Sequence, residues 1–306
     1  MKRIDRFTLM ITGAGGFLGS ELIDQLYTSS DYNIIALTSK KEAILEMYDN
    51  RDRLNCYGIE KLNDQSIPWS TIDVIIHTAF ARSYDGKSLA GALKFTNDLL
   101  FNAKKNGVRS FVNISSQSIY GDISQPLWNE NTLVSPDSTY AIAKYASEII
   151  TNNVCEDSNM KGTSIRLSSL LGPGLDSRLV SKFVKQAIQN ELIKIVGGGQ
   201  ILSFLDVRDA AAGLIALIST DYKSWNNTYN LGAFNRYTIV EIAEIVKEVA
   251  LKYFLIPVNI EIEDKNVDFD SGMDSGLFYK DTGWKPKYDM QAIVESLFDY
   301  FLNQQI

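Results

Sequence analysis

The chain is poor in the residues that build metal centres and redox pairs, with one histidine and two cysteines among 306 residues. Cys56 and Cys155 have no second cysteine or histidine nearby, so neither a metal-ligand spacing nor a dithiol motif can be drawn. No metal is expected, and both cysteines read as free thiols of a reducing cytosol. Positive charge is also in deficit: 30 lysines and arginines stand against 37 aspartates and glutamates, for a net charge of −7. Such a balance gives no broad positive field for a nucleic-acid backbone or an anionic membrane surface, so an anionic ligand must be met by local cations. Long apolar runs are missing as well, since nothing approaches the roughly 20 residues of a membrane helix. The first run, Phe7 to Ile11, is too short for a signal-peptide core and leads directly into a glycine turn. No internal repeat or low-complexity tail is found. These absences lead to the expectation of a cytoplasmic globular protein with a large core.

Short apolar segments alternate with longer amphipathic ones up to residue 170, the pattern of repeated strand-helix-strand units. Strands are expected at Phe7–Thr12, Asn33–Thr38, Asp73–His77, Ser110–Ser115 and Thr163–Leu167, and helices at Phe17–Thr28, Lys87–Asn106 and Thr139–Glu156. Right-handed crossovers place such helices on alternate sides of a parallel sheet. Beyond Leu167, glycines punctuate the chain at Gly172-Pro173-Gly174 and Gly197-Gly198-Gly199, and helices begin near Ser177, Arg208, Tyr237 and Met290. Phe204–Val207 and Thr228–Leu231 read as strands returning to the first sheet. The fold class is therefore α/β. A doubly wound parallel sheet spans residues 1–170 with return strands near 202–232, and 171–201 with 233–306 form a smaller mixed α/β substrate lobe.

Gly13, Gly16 and Gly19, within Thr12-Gly13-Ala14-Gly15-Gly16-Phe17-Leu18-Gly19, follow a predicted strand and open a predicted helix. In that context the spacing has a mechanism, that of a Rossmann dinucleotide site. Gly13 permits the tight turn. Gly16 lets the backbone approach a pyrophosphate carried on the helix N-terminus. Gly19 lets the helix lie close to the strand. In the usual NAD pattern an acidic residue ends the second strand and pairs with the adenine ribose. Thr38 stands there, followed by Ser39-Lys40-Lys41, a group that can pair with a 2′-phosphate. NADP is therefore favoured over NAD; alternatively, Lys40 and Lys41 are solvated residues beginning a helix.

A hydride delivered to a ketone needs a proton delivered with it. Tyrosine is too weak an acid unaided, but a lysine four residues on shares its helical face and favours the phenolate. Tyr140 and Lys144 have that separation. Such pairs are also common on helix surfaces, and here the context comes from the strand end Asn113-Ile114-Ser115-Ser116, because ligands of open α/β sheets bind outside the carboxyl ends of strands. His77, the sole histidine, titrates near neutrality when unperturbed, but tyrosine chemistry does not require it, and it reads as a structural strand-end residue.

With these segments, Asp73-Val74-Ile75-Ile76-His77-Thr78-Ala79, Ser115-Ser116-Gln117-Ser118-Ile119-Tyr120-Gly121, Tyr229-Asn230-Leu231-Gly232 and Gly283-Trp284-Lys285-Pro286, the chain resembles the extended short-chain dehydrogenase/reductase family of NAD(P)-dependent sugar-nucleotide epimerases, dehydratases and reductases. The resemblance implies a catalytic triad of Ser116, Tyr140 and Lys144, with Ser115 the nearest competitor of Ser116. It implies cofactor contacts from Thr12, Gly13, Gly15, Gly16, Phe17, Leu18 and Gly19, from Thr38, Ser39 and Lys40, and from Ala79, Tyr140 and Lys144. It implies substrate contacts from Ser116, Gln117, Ser118 and Ser169. Arg82 and Tyr84, on the loop after the His77 strand, are placed to touch a substrate. Arg178, Lys182 and Lys185 share one predicted helix face that could meet a diphosphate or simply be solvated, and Arg166 could serve structure or ligand.

Dehydratases of the family carry an Asp-Glu pair where Gln117-Ser118 stands, so dehydration is not expected. The family's diphosphate-binding arginines are missing before Phe204, where Leu202-Ser203 stand, and from Asp268 to Gly276. The expected activity is NADPH-dependent reduction of the 4-keto group of a dTDP- or GDP-deoxyhexose. The alternatives are an NAD-dependent nucleotide-sugar 4-epimerase, a reductase of a non-sugar carbonyl, and a non-catalytic NADP sensor. The resemblance also implies a homodimer through the Tyr140 helix and the long helix before Asn106.

Overall fold

The structure, a computed structural model, describes residues 7–29, 32–48, 53–64, 66–121, 127–254, 258–267 and 269–304. In chain order the main elements are β1 (Phe7–Thr12), α1 (Phe17–Thr28), β2 (Tyr32–Thr38), α2 (Lys41–Met47), β3 (Leu54–Gly58), β4 (Val74–His77), α3 (Gly86–Lys105), β5 (Ser110–Ser116), α4 (Thr139–Glu156) and β6 (Lys161–Leu167). There follow β7 (Ser169–Leu171), α5 (Leu179–Ile188), β8 (Ile193–Val196), β9 (Ile201–Asp206), α6 (Val207–Ile218), β10 (Thr228–Leu231), β11 (Arg236–Thr238), α7 (Ile239–Phe254), β12 (Ile260–Glu263), α8 (Gly276–Thr282) and α9 (Met290–Asn303).

Seven strands form one sheet in the order β10-β6-β5-β4-β1-β2-β3, every neighbouring pair parallel. Strands buried on both faces need apolar side chains in both directions, and β1 supplies them by alternation. Leu9 and Ile11 join the core under α1 and α6, whereas Met10 joins the core under α3. A separate core joins α5, α7 and α9 around Val180, Val246, Val294 and Phe298. This is the expected doubly wound α/β architecture, with smaller mixed sheets toward the C-terminus. Among the described residues no helix is long and apolar enough to cross a membrane, and no cluster of potential metal ligands occurs.

One expectation is corrected. The strand read at Phe204–Val207 does not return to the first sheet: β9 pairs with β7 in parallel and with β11 antiparallel in a three-stranded sheet. Only β10 returns, with Tyr229 opposite Ile165. The chain turns at Ser168, whose amide bonds to Leu231 O at 3.0 Å, and β7 then pairs outward. An apolar run announces a strand but not its partner. Strands β3, β8 and β12 escaped sequence reading because Leu54-Asn55-Cys56, Ile193-Lys194-Ile195 and Ile260-Glu261-Ile262 are short and interrupted by polar residues.

Candidate active site

The carboxyl ends of β1, β2, β4 and β5 open onto a cavity of about 1140 Å³. At one end lies the glycine turn. Gly13 has φ of +67°, and a Cβ there would stand 2.8 Å from both Ala79 N and Thr78 Oγ1. The Gly16 amide donates to Gly13 O at 2.8 Å, and Gly16 precedes α1 with no side chain capping that helix. Gly13, Gly15, Gly16, Phe17 and Leu18 line the cavity, so amides of an uncapped helix start face an open space. A pyrophosphate fits there by charge and by the absence of any Cβ. Gly19 is off the wall: its Cβ would meet Gly13 O at 2.3 Å, so it serves the close packing of α1 on β1.

Thr38 is buried and accepts from the Lys40 amide at 3.0 Å. Ser39 and Lys40 line the cavity. The Lys40 side chain lies over Gly15, where a Cβ would be 3.1 Å from Lys40 Cβ. Lys41 begins α2 and is not on the wall, so the two lysines divide between the two readings the sequence allowed.

Thr12 is buried behind the turn, its hydroxyl 2.7 Å from His77 Nδ1. The Thr96 hydroxyl donates to Ala92 O at 3.0 Å and so accepts from His77 Nε2 at 2.8 Å. That fixes the tautomer: Nε2 carries the proton and Nδ1 accepts from Thr12. Burial, helped by the charge of Lys144, pushes the imidazole down to about 3, so His77 is a neutral tie between β1, β4 and α3.

Tyr140 and Lys144 sit on another part of the cavity wall. Ser138 caps α4 by accepting from the Ala141 amide at 3.2 Å, which sets Tyr140 and Lys144 on its first two turns. Lys144 is buried, donates to Ile114 O at 2.7 Å, and carries its ammonium 4.0 Å from the centre of the Phe80 ring. Burial pushes it down to about 7, against the opposing charge of Glu148. Burial also raises the Tyr140 phenol; opposing this are the charge of Arg82, a hydrogen bond with Ser116 and the charge of Arg178. Ser116 Oγ also accepts from the Ser118 amide at 3.2 Å.

Ala79, Arg82, Tyr84, Ser115, Gln117, Ser118, Ser169 and Arg178 share the wall. Gln117 Nε2 donates to Ser169 Oγ at 3.2 Å. Arg82 and Tyr84 are exposed at the mouth, and Arg178 is lowered by burial and by the charge of Arg82. Lys182 is not brought to the site. Helix α5 buries Val180, Ser181, Phe183 and Val184, which leaves Lys182 in solvent, and Lys185 pairs with Asp176 at 2.7 Å. Arg166 faces Glu148 in the interior. Sequence reasoning missed Phe80, Trp128, Asp137, Phe269 and Ser271, which also line the cavity. They come from connections, where no periodicity marks them; of the segment searched for an arginine, Asp268 lies outside the described residues.

The buried ammonium makes stability depend on pH. Its folded value near 7 lies below its ordinary 10.5, so the cost of burying the charge is full below pH 7. Between these values the unfolded chain holds a proton the folded one releases, and stability rises with pH. Relative to the parent, Lys144→Met should therefore lose about 2 to 3 kcal/mol of advantage between pH 7 and 9, read from urea unfolding at both values. A difference that does not change with pH would rule out a depressed lysine.

Comparison with known proteins agrees with this arrangement. UDP-glucuronic acid decarboxylase 1 of Arabidopsis thaliana is 29% identical over 262 residues, covering 80% of this chain and 58% of the plant protein; the chain thus spans little more than half of that relative. The structure of UDP-glucuronic acid 4-epimerase from Bacillus cereus, in complex with UDP-glucuronic acid and NAD, matches with a TM-score of 0.82 at 20% identity, over 97% of this chain and 100% of that one. UDP-glucose 4-epimerase from Thermotoga maritima, with UDP-glucose, gives a TM-score of 0.81 at 22% identity over 98% and 100%. The family model for NAD dependent epimerases and dehydratases matches residues 9–232, a span holding the glycine turn and the Tyr140–Lys144 pair, and the chain belongs to that family.

Proposed function

We propose that the chain is a nucleotide-sugar enzyme that oxidises and re-reduces one sugar carbon, a 4-epimerase type of reaction through a transient ketone. The observation that carries this reading is a single cavity joining the uncapped helix start at Gly16 to Tyr140, Ser116 and Lys144. Its wall bears Lys40, Arg82, Lys144 and Arg178 against Asp137, an anion-binding lining inside an acidic protein. Relatives named for UDP-sugars support the substrate class.

A bound nicotinamide dinucleotide would supply the hydride acceptor and donor. The glycine turn would hold its pyrophosphate, Thr38 to Lys40 its adenosine end and Lys144 its second ribose. Tyr140 takes the proton of the sugar hydroxyl as that carbon is oxidised and returns it on reduction. Ser116 orients the same oxygen. Burial favours the phenol that donates in the reduction step; the charges of Arg82 and Arg178 oppose it and favour the phenolate that must take the proton in the oxidation step. Gln117 and Ser118 offer no carboxyl group for elimination of water. Arg82, Tyr84, Ser169 and Arg178 would meet the substrate.

A second reading, NADPH-dependent reduction of a 4-keto-deoxyhexose nucleotide, is favoured by one observation: Thr38, Ser39 and Lys40 stand where an acidic residue would select NAD. The protein would work in the cytoplasm, where the thiols of Cys56 and Cys155 stay reduced, and as a homodimer. Helices α3 and α4 pack together and expose Phe101, Ile142 and Ile149, apolar side chains that a second copy would cover.

Given UDP-glucose, UDP-glucuronic acid or dTDP-4-keto-6-deoxyglucose, the protein should convert a UDP-sugar to its C4 epimer without net cofactor change. Steady NADPH oxidation with the keto-sugar would favour the reductase instead. Inertness toward all three would move the search to other carbonyl compounds or to a sensor. Tyr140→Phe should keep cofactor binding and lose about 10²- to 10⁴-fold in turnover; turnover within a factor of about two would remove Tyr140 from the mechanism. Lys40→Ala with Lys41→Ala should weaken NADPH more than NADH in fluorescence titration, and equal effects would undo the NADP preference. Phe101→Glu with Ile149→Glu should convert a sedimenting dimer to monomer; a monomeric parent would contradict the assembly.

A further inference from the structure

We infer that Arg166 is a positioning residue: its guanidinium, sealed beneath the site, locks the strand end carrying Ser116 and the helix carrying Tyr140 and Lys144 into one relation. The inference rests on the proton-transfer roles proposed above. Arg166 lies on β6 directly opposite Ser115 of β5, and its side chain is 7% exposed while that of its partner Glu148 is 3% exposed. One edge of the guanidinium grips Glu148, with Nη2 at 2.9 Å from Oε2 and Nε at 3.2 Å from Oε1. The remaining nitrogen, Nη1, donates to the Tyr120 hydroxyl at 3.0 Å.

Each partner is one step from a reacting group. Glu148 is one helical turn beyond Lys144, which is itself tied to β5 through Ile114 O at 2.7 Å. Tyr120 ends the 3₁₀ turn Gln117–Tyr120 that Ser116 caps. Its hydroxyl lies 2.7 Å from Asn230 Oδ1 on β10, and its ring stacks on Trp128 of the cavity wall at 5.4 Å. Asn230 in turn donates to Trp128 O at 2.8 Å, and its amide to Glu130 Oε1 at 2.7 Å. Two ties thus fix the pitch of α4 against β5 and β6, and the guanidinium that makes one of them also fixes the loop after Ser116.

Stability alone does not account for this arrangement. A buried ion pair loses so much solvation that apolar residues of similar volume often serve the fold as well or better. What apolar residues cannot do is impose direction: a planar fork with donors on two edges sets two partners at fixed angles. The arrangement therefore fits a demand for geometry at the reacting oxygen, where a misplacement of about 1 Å can cost on the order of 10²-fold in rate.

The test uses the full chain labelled with 3-fluorotyrosine, the Tyr140 resonance being assigned by its loss in Tyr140→Phe. In the double variant Glu148→Met/Arg166→Met we expect a folded protein with an unchanged melting temperature, a displaced Tyr140 resonance, and kcat reduced on the order of 10²-fold with KM within a factor of about three. Arg166→Lys, which keeps the charge but not the fork, is read in the same way if the double variant does not fold. A resonance that stays in place in a folded variant overturns the inference whatever the substrate proves to be. So does unchanged kcat beside a displaced resonance, and so does failure of both variants to fold, which would make the pair a fold element only. A displaced resonance in a protein whose parent turns over no nucleotide sugar supports the positioning and overturns the proposed function alone.

Discussion

No side chain stands between the first turn of α1 and the end of β1, and this edge of the cavity is built on that contact. A Cβ at Gly19 would fall 2.3 Å from Gly13 O, and one at Gly13 would fall 2.8 Å from Ala79 N. Backbone thus meets backbone at the ends of β1, α1 and the loop after β4, and little tolerance remains for any of the three to shift. The uncapped start of α1 is held toward the cavity by this packing and not by a side chain. Thr12, the last residue of β1, turns inward to His77, and Thr78 Oγ1 donates back to Thr12 O at 2.7 Å. The result is a floor whose Thr12, His77 and Thr78 groups are satisfied from below, with the uncapped start of α1 above it.

Charge is arranged on the same principle of local exception. The chain as a whole is acidic, with a net charge of −7, yet its cavity wall carries Lys40, Arg82, Lys144 and Arg178 beside Asp137. Cations off the wall are paired instead: Lys185 with Asp176, Arg208 with Asp206 and Arg236 with Asp270. The wall cations differ among themselves. Lys144 is buried and pushed down to about 7 by that burial, whereas Arg82 is exposed. Burial and then the charge of Arg82 lower Arg178, and an anion placed between the two would relieve their repulsion.

How much of this was legible in the sequence depended on which part of the chain does the work. The glycine turn was readable because its packing is backbone packing: only glycine permits the approach at positions 13, 16 and 19, so the residue type itself is the signal. The Tyr140–Lys144 pair was readable from its spacing, since one helical turn places both on a shared face. The seven-stranded sheet was readable wherever a strand is buried on both faces, as in Phe111-Val112-Asn113-Ile114. Strand partners were not, which is why β9 was assigned to the wrong sheet. Phe80, Trp128, Phe269 and Ser271 reach the cavity from three separate connections, and only folding makes them neighbours. The tuning of Tyr140 was hidden for the same reason: Lys144 is near in sequence, but Arg82 and Arg178 bear on the phenol from other elements.

The substrate end shows how the missing arginines bear on the proposed chemistry. Before Phe204 the chain places Leu202 against the second core and buries Ser203, whose hydroxyl donates to Ala233 O at 3.0 Å. Ser203 is in turn capped by Ser168, which donates to its carbonyl at 3.3 Å. That stretch is a closed structural seam with no room for a cation. Arg236, directly across from Ser203 on β11, cannot stand in for one, because Asp270 already neutralises it. A diphosphate entering this cavity would then depend on Arg178 and Arg82, the same two cations that favour the Tyr140 phenolate. Binding the phosphate end of the substrate would draw positive charge away from the phenol and leave it a weaker acid, held more firmly in its protonated form. Recognition of the substrate and readiness to donate the proton would thus be coupled through one pair of arginines.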